Sequence, residues 1–404
     1  MKKKIVALVL VIALAASLAV ALAACDNSSG DGSFEPIAKE DIKFGLICLH
    51  DQNSTYDKNF IDAAQAAADE MGVELIMKLN VPEEGVDCYE AAADLVDQGC
   101  NIIFADSFGH EGNMIEAAKE FPNVRFAHAT GTKAHTENLA NYSNAFASIY
   151  EGRYLAGVAA GMKLAAMYGA DTTNKIGYVG AYPYAEVVSG YTSFFLGVRS
   201  ICPNVTMDVR YTNSWYDPDR ERSAANQLIS GGCVLISQHA DSMGAPQACE
   251  AAGIPNVTYN ISTIDTCANT YLVGSKIDWE PYFKYLIQCA IDGDTVAKDW
   301  CGTFETGSVV VIDINENYAA PGTAEKLAEV EQQLADGSLK VFDCANFTVD
   351  GQHLTSYIAD VDDAGDYVKE TEAIVKDGDR YYFAESSERS APYFDVRIDG
   401  ITEL

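Results

Sequence analysis

Short apolar runs alternate along the chain with longer segments whose apolar residues recur at helical spacing. In the first half this alternation predicts strands at 44–49, 73–77, 101–105 and 124–128, and helices at 59–72, 87–99 and 111–120. A strand, a helix and a further strand in succession are typical of a βαβ unit in a parallel sheet. The repeated units therefore predict one open α/β lobe.

A second half repeats this alternation after a helix at 152–163 and a polar break at 171–174. There the pattern predicts strands at 175–180, 205–211, 233–237, 257–260 and 271–276, and helices at 186–200, 220–231 and 244–253. The segments 97–107 and 230–242 are also similar in sequence. We therefore expect two lobes of one architecture.

The last part of the chain is less regular. A helix at 281–293 is expected to return the chain to the first lobe, and a strand at 309–314 and a charged helix at 323–335 follow. Thr323 is the expected N-cap of that helix. The predicted division is lobe 1 at 43–170, completed by about 280–303, lobe 2 at 171–279, and C-terminal crossing segments with an extension at 304–404.

The first 25 residues carry a targeting pattern. Lysines after Met1 precede an apolar run from 5 to 24, which ends in small residues before Cys25. This order is typical of a secretory signal, although a run of this length could also span a bilayer. Residues 22–25 resemble the lipobox at which bacterial lipoproteins are cut. The resemblance implies a signal peptide at 1–24, a lipidated Cys25, a flexible tether at 25–42 and an extracytoplasmic chain anchored to the cell membrane.

The net charge restricts the partners that the protein can bind, and the cysteine content bears on whether it carries disulfides. The formal net charge of −32 at pH 7 excludes nucleic acid and anionic lipid, because both repel a strongly acidic chain. An even number of cysteines remains after Cys25, which permits disulfides outside the cell. Cysteines within apolar runs are instead typical of free core thiols, and both states stay open for Cys48, Cys100, Cys233 and Cys289. Without a CxxC motif, the sequence predicts no metal site and no cofactor.

Open α/β sheets bind ligands beyond the carboxyl ends of their strands, so the segments that follow the predicted strands form the candidate site. Most of these segments combine an aromatic ring with a carboxylate; they are 50–60, 106–110, 182–186, 213–218 and 238–242. Aromatic faces stack on a flat ring, while Asp and Asn pair with nitrogens and hydroxyls at its edge. The mixture favours a flat, polar heterocycle held between the lobes.

Several of these side chains also have purely structural interpretations. Phe60 can pack in the core, Asp57 or Asn59 can cap a helix, as can Asp217, and Trp215 can fill the space beneath a loop. Asp241 directly follows an apolar strand, which makes it the strongest candidate for a ligand contact.

No catalytic motif is present in the sequence. It lacks a GxSxG elbow, an HExxH motif and a Walker loop. His239 and Asp241 could be combined with a serine into a triad, but no pattern positions a nucleophile. The sequence therefore predicts a binding protein and not an enzyme.

At its predicted strand ends the chain resembles the basic membrane lipoprotein (BMP) family, the PnrA-like substrate-binding lipoproteins of ABC transporters. The resemblance covers about residues 43–303 and is carried by 151–157 with Gly161, 175–180, 215–218, 238–242 and 276–279. It implies the type I periplasmic-binding-protein fold, with two Rossmann-like lobes, parallel sheets and a hinge of three crossings. It also implies capture of a purine nucleoside or purine base and delivery to an ABC permease; we expect a monomer.

The resemblance further implies roles for individual residues. Stacking aromatics, polar contacts and a lysine that reaches a ribose are expected among Tyr56, Asp57, Asn59, Phe108, Trp215, Asp241 and Lys276. The usual nucleoside-binder opening, an acidic pair followed by Ser-Phe-Asn, is replaced here by STYDKNF at 54–60, which is closer to the purine-base subgroup. Base and nucleoside both stay open. So do a sensory module, a binder of a sugar or riboflavin, and an extracellular nucleoside hydrolase.

Overall fold

A computed structural model describes residues 34–361 and 369–404. The predicted signal peptide, Cys25 and the first part of the tether therefore lie outside the described residues. Residues from Phe34 to Leu404 belong to one compact unit. Within the described ranges, no helix has the length and apolar character needed to cross a membrane.

The first half of the chain alternates strands and helices, as predicted. Its strands are β1 (Lys43–Ile47), β2 (Glu74–Lys78), β3 (Ile102–Ala105), β4 (Arg125–Ala129) and β5 (Tyr142–Ala147). Its helices are α1 (Thr55–Met71), α2 (Asp87–Asp97), α3 (Glu111–Glu120) and α4 (Ala134–Glu137). The sequence pattern missed β5, because Ser143 and Asn144 interrupt its apolar run although both are buried.

Helix α1 begins four residues before its predicted start at 59. Ser54 is its N-cap, and the Ser54 hydroxyl oxygen accepts a hydrogen bond from the Asp57 backbone N–H at 3.2 Å. An N-cap of this kind contributes about 1 kcal/mol to helix stability. The earlier start places Tyr56 and Asp57 in the first helical turn. Gly72 ends the helix in the left-handed conformation, as predicted.

The second half follows the predicted pattern within two residues at nearly every boundary. After α5 (Ile149–Tyr168), its strands are β6 (Lys175–Gly180), β7 (Thr206–Tyr211), β8 (Cys233–His239), β9 (Asn256–Tyr259) and β10 (Tyr271–Ile277). Its helices are α6 (Ala185–Arg199), α7 (Pro218–Ser230) and α8 (Gly244–Ala252). Helices α5 and α6 approach at backbone distance, since a Cβ atom on Gly157 would lie 2.1 Å from the Phe194 carbonyl oxygen.

The chain then returns to the first half. Helix α9 (Glu280–Asp292) buries its apolar face in the same core as β1 and α1. Strand β11 (Asp299–Gly302) pairs with β5, and β12 (Val309–Ile312) pairs antiparallel to β10. Helix α10 (Thr323–Ala335) has its predicted bounds. The prediction of Thr323 as its N-cap is wrong, because Thr323 is already helical and Gly322 precedes it at φ 80°.

The C-terminal segment packs against the second half of the chain. It contains β13 (Ile358–Ala359), β14 (Thr371–Glu372), β15 (Ile374–Asp377), β16 (Arg380–Phe383) and β17 (Ile401–Glu403). Strand β17 pairs in parallel with β7 and so covers an edge of the sheet. The Glu403 carboxylate accepts hydrogen bonds from the Tyr191 and Tyr211 hydroxyls at 2.6 Å each.

Two large sheets organise the described residues. The first has the order β11-β5-β4-β3-β1-β2, and the second has the order β12-β10-β9-β8-β6-β7-β17. All pairs are parallel except β10 with β12. The chain passes between the sheets after β5, after β10 and after β11. We call the parts built on the first and second sheet lobe 1 and lobe 2; the predicted residue boundaries of the lobes stay a prediction.

The cysteines of the described part are free thiols. Cys48, Cys100, Cys233 and Cys289 are all buried, as are most of the others. Burial raises the pKa of the Cys100 thiol to about 11, so it packs as a neutral group. The structure therefore uses these residues as small core hydrophobes.

Candidate ligand-binding site between the two lobes

A cavity lies where the carboxyl ends of strands from both sheets meet. Lobe 1 lines it after β1, β3 and β4, and lobe 2 after β6, β7 and β8. The lining residues are Leu49, His50, Tyr56, Asp57, Ser107, Phe108, Thr130, Glu186, Trp215, His239 and Asp241.

The two lobes touch each other around this cavity. The Thr55 backbone N–H donates to the Asp241 carbonyl oxygen at 2.8 Å. The Phe108 ring of lobe 1 stacks on the Tyr184 ring of lobe 2, with centroids 5.5 Å apart. The cavity is thus closed by direct contacts between the lobes.

The first turn of α1 supplies the lobe 1 side of the cavity. The Tyr56 hydroxyl donates to the Asp106 carbonyl oxygen at 2.8 Å, which fixes the ring. The Asp57 carboxylate accepts from the His50 backbone N–H at 2.7 Å and from the Ser54 hydroxyl at 2.5 Å. Burial acts to raise the pKa of Asp57, but these hydrogen bonds from His50 and Ser54 outweigh it and lower the pKa. Asp57 is therefore a fixed negative charge beside the cavity.

A buried cluster lies behind Asp57. The Cys48 thiol and the carboxylates of Asp57 and Asp106 lie within 4.8 Å of one another, the one group of three such side chains in the described ranges that is close enough to share a metal ion. Burial and the charge of Asp57 raise the pKa of Asp106 well above its usual range. Burial likewise raises the pKa of the Cys48 thiol. Two of the three groups therefore hold their protons more tightly than usual, and a metal ion would have to displace these protons to bind.

Asp241 supplies the most informative polar group of lobe 2. It follows β8, is 4% exposed, and its carboxyl makes no hydrogen bond to any residue in the described ranges. Burial and the negative charges of Glu221, Asp57 and Glu186 raise the pKa of Asp241 well above its usual range. A carboxyl accepts hydrogen bonds in either protonation state and also donates one when it carries its proton. Asp241 thus presents an unused acceptor to the cavity.

Glu186 and His239 form a second polar feature of lobe 2. The His239 ring nitrogen Nε2 lies 3.2 Å from the Glu186 carboxylate oxygen Oε1. Burial lowers the pKa of His239, so the ring is neutral. Sequence reasoning did not select this pair as ligand contacts, although both residues lie in strand-end segments.

Trp215 lines the remaining wall, and two tyrosines outside the lining pack behind it. Trp215 meets the Tyr182 ring edge-on with centroids 5.1 Å apart, and Tyr182 stacks on Tyr184 at 5.1 Å.

Asp217 caps α7, since its carboxylate accepts from the backbone N–H groups of Asp219 and Arg220. The prediction that Asp217 is an N-cap is confirmed. Phe60 stacks on Trp279 in the core, as also predicted.

Two predicted site residues lie in a different groove. The Asn59 side-chain amide donates to the Ile277 carbonyl oxygen at 2.6 Å. The Lys276 Nζ atom lies 3.5 Å from a carboxylate oxygen of Asp278. Both line an open groove along α1 with Asn260 and do not line the cavity. The structure therefore brings Tyr56, Asp57, Phe108, Trp215 and Asp241 together but places Asn59 and Lys276 apart from them.

Comparison with known proteins adds to this geometry. Residues 49–338 match the family model of PnrA-like ABC transporter substrate-binding proteins. A purine-binding protein of Brucella abortus is 33% identical over 76% of this chain and 84% of its own length. A putative ABC transporter glucose-binding protein of Haloferax volcanii is 34% identical over 60% of this chain, which spans 59% of that relative's length. An ABC transporter nucleoside-binding protein of Lactococcus lactis is 23% identical over 85% of this chain and 98% of its own length.

Solved structures show the same architecture at low sequence identity. A solute-binding protein of Conexibacter woesei superposes with a TM-score of 0.61 at 18% identity, covering 74% of this chain and 98% of that one. One from Aeropyrum pernix superposes with a TM-score of 0.62 at 14% identity, covering 77% and 94%. These likenesses establish the fold alone, which is the type I periplasmic-binding-protein fold.

Proteins of this class bind solutes outside the cytoplasm for an ABC permease and are not enzymes. This chain has two α/β lobes with a cavity at their strand ends, which is the arrangement of such solute-binding proteins. The family match covers most of both lobes. The chain therefore belongs to the family of PnrA-like ABC transporter substrate-binding proteins.

Proposed function

We propose that this protein captures a purine nucleoside or purine base in the cavity between its lobes and delivers it to an ABC permease, held at the membrane by a lipid on Cys25. Aromatic rings on both lobes suit a flat ring, and carboxyl groups suit ring-edge N–H groups. The purine-binding relative and the nucleoside-binding relative support this ligand class.

The observation that carries the proposal is the unpartnered carboxyl of Asp241. The Asp241 side chain lines the cavity, so a bound ligand can supply the hydrogen-bond partner that the protein does not. A purine edge carries an N–H group beside a ring nitrogen. It can donate to this carboxyl and can also accept from it when the carboxyl carries its proton.

A sugar is the second candidate. The Haloferax relative is named for glucose, and carboxylates beside an aromatic ring also accept hydrogen bonds from sugar hydroxyls. Purines differ from sugars in having a planar ring that can lie between two aromatic side chains. Titration of the protein with purines and with glucose therefore separates the two candidates.

The test is calorimetry and native mass spectrometry of the chain from Asp26 onward. Adenine, hypoxanthine, adenosine, inosine, glucose and riboflavin are titrated separately. We expect saturable, one-to-one retention of at least one purine compound without its conversion. Tight binding of glucose with no response to any purine would refute the proposal, and cleavage of a nucleoside would indicate a hydrolase.

A further inference from the structure

Glu186 offers the cavity a hydrogen-bond acceptor that no other described residue uses. It lies in the first turn of α6, where the helix dipole favours a negative charge. Its side chain is 12% exposed, and it lines the cavity. One carboxylate oxygen faces His239 Nε2, while the other makes no hydrogen bond to the protein within residues 34–361 and 369–404.

His239 holds this carboxylate in place. The ring packs edge-on against Tyr259 with centroids 4.8 Å apart. The Arg153 guanidinium lies 4.6 Å from the Tyr259 ring centre and donates to the Gln238 carbonyl oxygen at 2.9 Å. His239 is neutral, so its Nε2–H donates to Glu186 and its Nδ1 is the unprotonated nitrogen. The orientation of Glu186 is thus set from behind by packed side chains.

Gly190 makes room for this arrangement. A Cβ atom at position 190 would lie 2.9 Å from His239 Nδ1. The ring consequently sits against the backbone of α6, the helix that also carries Glu186. Movement of the ring away from Glu186 is blocked on that side.

The cavity therefore has two separate unused hydrogen-bonding groups, at Asp241 and at Glu186. Among the described residues, no lysine or arginine lines it, so a phosphate group has no cationic partner there. A free purine base carries hydrogen-bonding atoms on two edges, one on the pyrimidine ring and one N–H on the imidazole ring. A nucleoside lacks the imidazole N–H, because its sugar replaces that proton.

Resting on the proposed function, we infer that Glu186 accepts the imidazole N–H of the ligand and so makes the site specific for a free purine base over its nucleoside. Lys276, the residue that the family resemblance assigns to a ribose, lies in the other groove. Glu186 is on this view a specificity-determining contact.

The test measures affinities of the chain from Asp26 onward for adenine, 9-methyladenine and adenosine by calorimetry. Methylation at N9 removes the N–H of the imidazole ring and adds one carbon. The same titrations are made with Glu186→Gln, whose amide keeps an acceptor for His239 but turns an N–H toward the ligand. Glu329→Gln on the exposed face of α10 is the matched control for loss of one charge.

We expect the wild-type protein and Glu329→Gln to prefer adenine to 9-methyladenine and adenosine by at least about tenfold. In Glu186→Gln this preference falls below about threefold. A structural effect of the substitution would weaken adenine and 9-methyladenine equally and would leave their ratio unchanged, which overturns the inference. Equal wild-type affinity for adenine and adenosine also overturns it but leaves the proposed function intact. Failure of every purine to bind overturns both.

Discussion

Asp241→Ala should weaken ligand binding and at the same time stabilise the unliganded protein. The carboxyl of Asp241 is buried, points to the cavity and has no hydrogen-bond partner in the described ranges. Its removal eliminates a carboxyl whose ionised form is disfavoured by burial and by the neighbouring negative charges. It leaves no new void within packed atoms, since the side chain already borders the cavity. Loss of affinity and gain of stability are therefore expected together.

The magnitudes follow from the hydrogen bonds involved. Desolvation of a buried polar group costs about 1–3 kcal/mol, so the free energy of unfolding should rise by about 1 kcal/mol or more at neutral pH when Asp241 is removed. Loss of a ligand contact of this type should weaken purine binding by at least roughly tenfold, which is about 1.4 kcal/mol. The backbone hydrogen bond from Thr55 to the Asp241 carbonyl is unaffected by the substitution.

Urea unfolding without ligand and calorimetry with purines measure the two effects. Asp343→Ala is the matched control, because Asp343 is also buried but accepts hydrogen bonds from Arg380 and from the Ala345 backbone N–H at 2.9 Å each. The control should lose stability and keep its purine affinity. The reasoning is refuted if Asp241→Ala keeps wild-type affinity, or if it loses stability as Asp343→Ala does.

Three further outcomes are expected. Trp215→Ala should weaken purine binding by at least roughly tenfold, about 1.4 kcal/mol, while Trp215→Phe should keep most of the wild-type affinity. Equal affinities of Trp215→Ala and the wild-type protein in calorimetry would contradict stacking. Burial raises the pKa of Glu385 from 4.5 to about 8. Its contribution to the free energy of unfolding is therefore fully present below about pH 4.5 and is lost as the pH rises through 8, because the unfolded chain ionises first. Urea unfolding between pH 5 and 8 should show this decline, and Glu385→Gln should flatten it. Cys25→Ala should release the protein from the membrane fraction, and retention there would contradict lipid anchoring.

The local pattern of apolar and polar residues is enough to predict most of the secondary structure. Strand β6 and helices α3 and α10 have their predicted bounds, because their apolar spacing and end residues are encoded locally. Strand β5 was missed, because its polar Ser143 and Asn144 are buried by neighbouring elements rather than exposed. Thr323 was misjudged as a cap, because glycine at φ 80° begins the turn instead.

The sequence by itself determined which segments meet at the cavity, since the carboxyl ends of parallel strands share one edge of a sheet. Trp215 and Asp241 follow β7 and β8, which makes both site candidates on this rule alone. Only the tertiary structure decided that Asn59 faces a separate groove and that Glu186 pairs with His239. The direction of a side chain depends on how helix and sheet pack across the two lobes, and no local pattern of apolar and polar residues specifies that packing.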